Sequence, residues 1–183
     1  MLFRFDVRLT DEDYLEYNRF VLIRSTYGKK QMNSFRAVLA VLYCALLIFM
    51  LVSGGFTPSA FITAIPVALL FILSLVLWPK FLSETLKWQI KTMKKSGKPG
   101  YSPEATLEFY EDSFSETTPE NKTEQKYTAI EQVSVVDGKN IYIHINSLMA
   151  YILPASSFED EEQYREFISF IKTKCDRVNI YGS

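Results

Sequence analysis

Two stretches of the chain, residues 37–56 and 60–78, are almost wholly apolar and uncharged, and Ser53-Gly54-Gly55-Phe56-Thr57-Pro58-Ser59 separates them. A helix needs about twenty apolar residues, at roughly 1.5 Å each, to cross a bilayer's hydrocarbon, and each run comes close. Neither run shows the regular polar positions of a helix with one face in water. The pattern therefore predicts a transmembrane helical hairpin over residues 35–79 rather than a buried helical pair in a soluble core.

Before the hairpin, residues 2–9 alternate strictly, with Phe3, Phe5, Val7 and Leu9 on one face and Arg4, Asp6 and Arg8 on the other, the period of a half-buried strand. A lone strand is unstable, so this one needs a sheet to join. Leu9-Thr10-Asp11-Glu12-Asp13-Tyr14 then reads as a helix start. Thr10 can cap, Asp13 holds the capping-box position, and Leu9 with Tyr14 has staple spacing. This helix is expected to run to about Ser25 and to break at Gly28-Lys29-Lys30.

Within the second span Ala60, Ala64 and Ala68 recur every four residues, a small-residue stripe that lets another helix approach closely. The first span, through Ala37, Ala40 or Ala45, or a second copy in a homodimer could fill it. Pro66 should bend this helix or force local repair of its backbone bonding. Trp78 and Pro79 mark its boundary. From residue 80 to 95 the pattern becomes amphipathic, setting Phe81, Leu82, Leu86, Ile90 and Met93 against Lys87, Lys91, Lys94 and Lys95. Those four lysines are candidate contacts for anionic lipid, worth about 1 kcal/mol each near a membrane surface; they also suit a purely topological role.

Ser96-Gly97-Lys98-Pro99-Gly100 is a linker by composition. Short strand-like segments follow at residues 106–110, 113–117, 124–129, 131–136, 140–146 and 150–153. Asp137-Gly138-Lys139 between two of them is a strong hairpin signal. Ile141, Ile143 and Ile145 alternate with Tyr142, His144 and Asn146, predicting one inward and one outward face. After Pro154 a helix capped by Ser156 or Ser157 is expected, with acids in its first turn, Lys172 and Lys174 in its last, and Tyr164, Phe167, Ile168 and Ile171 at helical spacing. An antiparallel meander capped by a C-terminal helix describes a pleckstrin-homology-like (PH-like) β-barrel, so the fold class expected is an α+β membrane protein.

Charge changes this picture by fixing an orientation. The net charge of −1 hides a segregation: Arg24, Lys29, Lys30 and Arg36 precede the first span, and Lys80 to Lys98 follow the second, with no charge in the loop between. Bases beside spans stay on the cytoplasmic side, so a multi-pass protein of the cell membrane with both termini cytoplasmic is expected. No cleaved leader is expected, because the first six residues include Arg4 and Asp6. The segments implied are residues 1–34, a cytoplasmic strand and helix; 35–79, the hairpin; 80–100, a juxtamembrane helix and linker; and 101–183, the PH-like domain. Cys44 and Cys175 are too isolated for a metal site, and a reducing compartment disfavours a disulfide.

The order of these parts resembles the YcxB-like family of bacterial membrane proteins. Thr10-Asp11-Glu12-Asp13-Tyr14, the hairpin, Tyr127-x-x-Ile130-x-x-Val133 and Tyr151-Ile152-Leu153-Pro154 followed by Phe158 carry the likeness. The resemblance implies a two-span anchor bearing a cytoplasmic PH-like domain and transfers no activity. Ala155 and Ser156 stand where more basic residues would be expected, which weakens headgroup binding at that edge.

Candidate chemistry is sparse. The single histidine, His144, lies between isoleucines and reads as a surface or cross-strand packing residue rather than a general base or ligand. No glycine-rich phosphate loop, H-E-x-x-H, G-x-S-x-G or paired-cysteine motif occurs, so no enzyme, cofactor or metal is expected. The spans hold no ionisable group besides the Cys44 thiol, which argues against transport by this chain alone. The acidic soluble part argues against nucleic acid. At the first hairpin turn Glu111-Asp112 stands where a phosphoinositide reader would carry bases. The expected function is a membrane-anchored, non-catalytic interaction module with membrane lipid and an unidentified protein as partners. The alternative is an accessory or immunity-type subunit of a transporter or of antimicrobial-peptide defence.

Overall fold

A computed structural model describes the chain except residues 56, 98, 99, 137, 147, 148 and 183, and gives the backbone alone at 26, 27, 60, 61 and 79. It divides into two compact units, one of residues 1–18 with 90–183 and one of residues 19–89.

In the first unit the alternating N-terminal stretch is strand β1 (Phe3–Arg8), with Phe5 and Val7 buried and Arg4, Asp6 and Arg8 exposed. The sheet it needs is supplied from far along the sequence. β1 pairs antiparallel with β2 (Glu104–Phe109), which pairs with β3 (Ser113–Thr117), which pairs with β4 (Lys122–Lys126). Phe5 stands opposite Leu107, and Phe109 opposite Phe114. Their side chains meet on the inner face while Arg4 reaches Glu108 at 3.6 Å outside.

A second sheet runs β7-β6-β5-β8, from β5 (Gln132–Val136), β6 (Asn140–His144), β7 (Ala150–Pro154) and β8 (Val178–Tyr181). Among the described residues the two sheets do not close into the expected barrel. The chain leaves the first sheet at Lys126 and turns through a short 3-10 helix, Tyr127–Ala129, where the strand was expected to continue, so β4 and β5 form no hairpin. β8 was not anticipated and runs parallel to β5, so the second sheet is not a pure antiparallel meander. The β5–β6 turn has Gly138 at φ +69°, the left-handed region that favours glycine; Asp137 lies outside the described residues.

The closing helix is α4 (Glu161–Lys174), and it starts later than predicted. Ala155–Ser157 forms a 3-10 turn, and Asp160, rather than Ser156 or Ser157, caps α4: its Oδ1 accepts from the Gln163 N–H at 2.8 Å. An extended backbone at Asp160 aims a charged acceptor at the helix's positive end, which a hydroxyl matches less well. α4 delivers Phe167, with no exposed surface, among Phe3, Phe5, Phe109 and Phe158 at ring separations of 4.8 to 5.8 Å. The wider core around that cluster adds Val133, Ile141 and Leu153 from the second sheet, so both sheets and α4 share it.

Helix α1 (Asp11–Ile23) opens with the predicted capping box. The Thr10 N–H donates to Asp13 Oδ2 at 2.9 Å, and the Asp13 N–H to Thr10 Oγ1 at 3.2 Å. Its first turns cover the second sheet, and this corrects the expected outward face of β6. Tyr142 and His144 are 1% and 2% exposed, with the Tyr17 ring 5.3 Å and 6.1 Å from them. Glu16 accepts from Lys139 at 2.9 Å and from Asn140 at 3.4 Å.

The second unit holds the two apolar helices, α2 (Thr26–Ser53) and most of α3 (Pro58–Lys95). The break expected at Gly28 falls instead at Arg24–Ser25, where the Ser25 hydroxyl accepts from the Gly28 N–H and caps α2. Gly28 lies inside the helix, and a Cβ there would collide with the carbonyls of Val21 and Leu22. α2 and α3 meet through Phe35 stacked on Trp78 at 4.2 Å and Tyr43 against Phe71 at 4.7 Å. Helix α3 runs on through Pro66; its bend, of 49°, separates Ile62–Trp78 from Lys80–Lys95.

Candidate functional site

Two features stand out from the structural core: an outward apolar surface on the second unit and a cavity in the first. Residues of α2 that face α3, such as Phe35, Leu39, Tyr43 and Leu47, are half-buried. The opposite positions Val41, Leu42, Ile48, Phe49 and Val52 are 60% to 69% exposed. On α3, Ile62, Ile65, Leu69, Ile72 and Val76 are likewise exposed. Soluble proteins rarely present a contiguous apolar patch on this scale to water. Among the described residues one helical stretch, Gly28–Ser53, is long and apolar enough to cross a membrane, and none of its apolar window is buried. The bent pair Ile62–Trp78 with Lys80–Lys95 supplies a second candidate if it forms one span.

Of the small-residue stripe, Ala64 and Ala68 are half-buried, as Phe71 and Trp78 are; the side chain of Ala60 lies outside the described residues. Ala40 of α2 is half-buried, and Ala37 and Ala45 are exposed. Lys87, Lys91, Lys94 and Lys95 are all exposed on α3. Lys87 pairs with Glu84 at 2.8 Å, one helical turn before it, and Lys94 with Asp11 at 2.8 Å. Lys94 and the Tyr101 hydroxyl together hold the Asp11 carboxyl below its usual range. The isolated cysteines remain thiols, Cys44 exposed and Cys175 buried.

The cavity lies wholly within the first unit and has a volume of about 290 Å³. Its walls come from α1 (Tyr14, Tyr17), β2 (Leu107), β3 (Glu116), β7 (Tyr151) and the segment before β2 (Tyr101). Glu116 sits on β3 two residues from the buried Phe114, and so on the inward side, opposite Leu107. Its carboxylate is half-buried in the cavity wall, on the face that Phe114 and Leu107 share. Burial holds that carboxyl above its usual range. Among the described residues no ion pair reaches it. Tyr14 stacks on Tyr101 at 4.8 Å, and the Tyr101 hydroxyl donates to Asp11 Oδ1 at 2.5 Å, which fixes that ring. Burial, with Asp11 as a further cause, pushes the Tyr101 hydroxyl up to about 12, so it stays a neutral donor.

No contiguous motif marks this site in the sequence. The available signal is Phe114-x-Glu116, a charge on the apolar face of a strand; the four tyrosines come from three separate segments and meet only in the fold. His144, the one histidine, packs against Tyr17 and lies outside the cavity. Burial depresses its imidazole to about 4, which keeps the ring neutral at pH 7.

Residues 109–171 match the family model described as YcxB-like protein, which covers β3 to β7 and most of α4. The family resemblance read from the sequence is thus shown over this stretch. No curated protein and no solved structure matches the chain.

Proposed function

We propose that the chain is an integral membrane protein that crosses the bilayer twice, keeps both ends in the cytoplasm, and carries a PH-like module that docks a protein partner without catalysis. One observation carries this reading. β1 and β2 belong to one sheet although α2 and α3 lie between them in the sequence. A chain that leaves through α2 must therefore return through α3 before that sheet can form. The exposed aliphatic faces of both helices supply the surface that lipid would solvate, and the bases flanking them supply the orientation. The acidic turn Glu111-Asp112 and the pairing of Lys87 and Lys94 within the protein favour protein docking over headgroup recognition.

Topology is tested by cysteine labelling in intact cells, in a background lacking Cys44 and Cys175. Thr57→Cys is expected to react with a membrane-impermeant maleimide from outside, and Ser102→Cys to react only after lysis. Reaction of both from outside would remove the two-span reading. Docking is tested by crosslinking in native membranes, where recovery of self-contacts alone under all conditions would count against it.

A further inference from the structure

The cavity on Glu116 is built at a cost that the fold does not require. A half-buried, inward-facing carboxylate loses part of its hydration, and where no partner compensates, burial shifts the group toward its neutral form. Glutamine or leucine would fill the same position without that penalty. A cation entering the cavity would offset the hydration that its charged form has lost.

The chemistry of the walls narrows which cation. Ca²⁺ and Mg²⁺ take six or more oxygen ligands and Zn²⁺ prefers His or Cys, yet among the described residues Glu116 is the only carboxylate lining the cavity and no His or Cys lines it. Tyrosine rings instead attract an organic cation through their faces and pack against an aliphatic stem. The lining includes four of them, Tyr14, Tyr17, Tyr101 and Tyr151. A volume of about 290 Å³ lies at the small end of ligand pockets, suited to a short chain rather than a nucleotide or a lipid headgroup. The same carboxylate would repel phosphate. We infer that this cavity is a binding site for an ammonium group on a short aliphatic stem, with the charge set against Glu116 and the stem among the tyrosine rings. This assignment stands apart from the anchoring and docking proposed above and does not depend on them.

The test uses the full chain in maltoside micelles, which carry no ammonium group of their own, with n-butylammonium as probe and neutral n-butanol as its isosteric control. Calorimetry is expected to show saturable butylammonium binding tighter than roughly 10 mM, with butanol at least about tenfold weaker. Glu116→Gln, which keeps the shape and removes the charge, is expected to weaken butylammonium at least about tenfold, one lost charge-assisted contact, while the fold melts no earlier. Tyr101→Leu, at the half-buried rim, is expected to weaken binding with Glu116 intact and decides the matter should the glutamine variant fail to fold. Nα-acetyl-lysine methylamide separates the sources: tighter binding than butylammonium assigns the site to a lysine side chain of a protein, weaker binding to a free amine. Absence of saturation, equal binding of butanol, or unchanged binding by a folded Glu116→Gln chain would overturn the assignment.

Discussion

At the scale of single residues, His144 and Glu116 are titratable groups inside the first unit that burial pushes in opposite directions along the pH axis. His144 is about 4 when folded against 6.5 for the free side chain, so between those values the unfolded chain binds more protons than the folded one. Stability therefore rises with pH through this window; the contribution is complete above 6.5 and is lost as pH falls toward 4. The full swing is roughly 3 kcal/mol at about 1.4 kcal/mol per pH unit. Denaturant midpoints measured from pH 7.5 to 4 are expected to fall accordingly, and His144→Phe to flatten that part of the curve. Glu116 has the opposite sign. Its folded value is raised, so its contribution is present below the unfolded value and lost as pH rises through the folded one. For Glu116 the sequence offers one local cue, its place two residues from Phe114; for His144 it offers none. His144 reads as an exposed alternate of Ile143, and only α1, more than a hundred residues earlier, turns it into an interior group.

At the scale of elements, what the sequence made plain is what is local. The capping box at Thr10 and Asp13 involves residues three apart, and it is present with both of its hydrogen bonds. The start of α4 lies a few residues beyond the pattern's expectation because Ser156, Ser157 and Asp160 are all chemically able to cap. Geometry chose the aspartate, so Asp160→Ala is expected to cost about 1 kcal/mol, and Ser156→Ala or Ser157→Ala less than about 0.5 kcal/mol, in thermal unfolding. Gly28 marks a helix break by propensity alone, yet in the fold it serves the close approach of α2 to the end of α1. Gly28→Ala is therefore expected to destabilise, although alanine is the better helix former by about 1 kcal/mol; a melting temperature that rises would show that the two segments can separate freely. β8 escaped notice for a different reason. Four residues carry too little periodicity to mark a strand, and a parallel partner more than forty residues away leaves no trace in local pattern.

At the scale of the whole molecule, the organising fact is that the first unit is discontinuous in sequence, its edge strand and covering helix coming from one end of the chain and the rest from the other. Residues 1–9 place Phe5 and Val7 in the core and pair the backbone of β2, which would otherwise be an open edge beside Leu107 and Phe109. Removing a buried phenylalanine side chain alone costs about 3–5 kcal/mol, against about 5–15 kcal/mol for an entire domain. Deleting residues 1–9 from the full chain should then leave α2 and α3 in the membrane fraction and strip the strand-rich unit of its protease resistance. A milder change, Phe5→Ala, should shorten the lifetime of that unit under protease without altering membrane extraction. The two readouts separate anchoring from folding, which substitutions in the helices would confound. If the deleted chain kept a resistant fragment spanning residues 101–183, β1 would be an accessory to a self-sufficient fold. The sheet would then no longer require the chain to come back to the side it left, and the argument for an even number of crossings would fall with it.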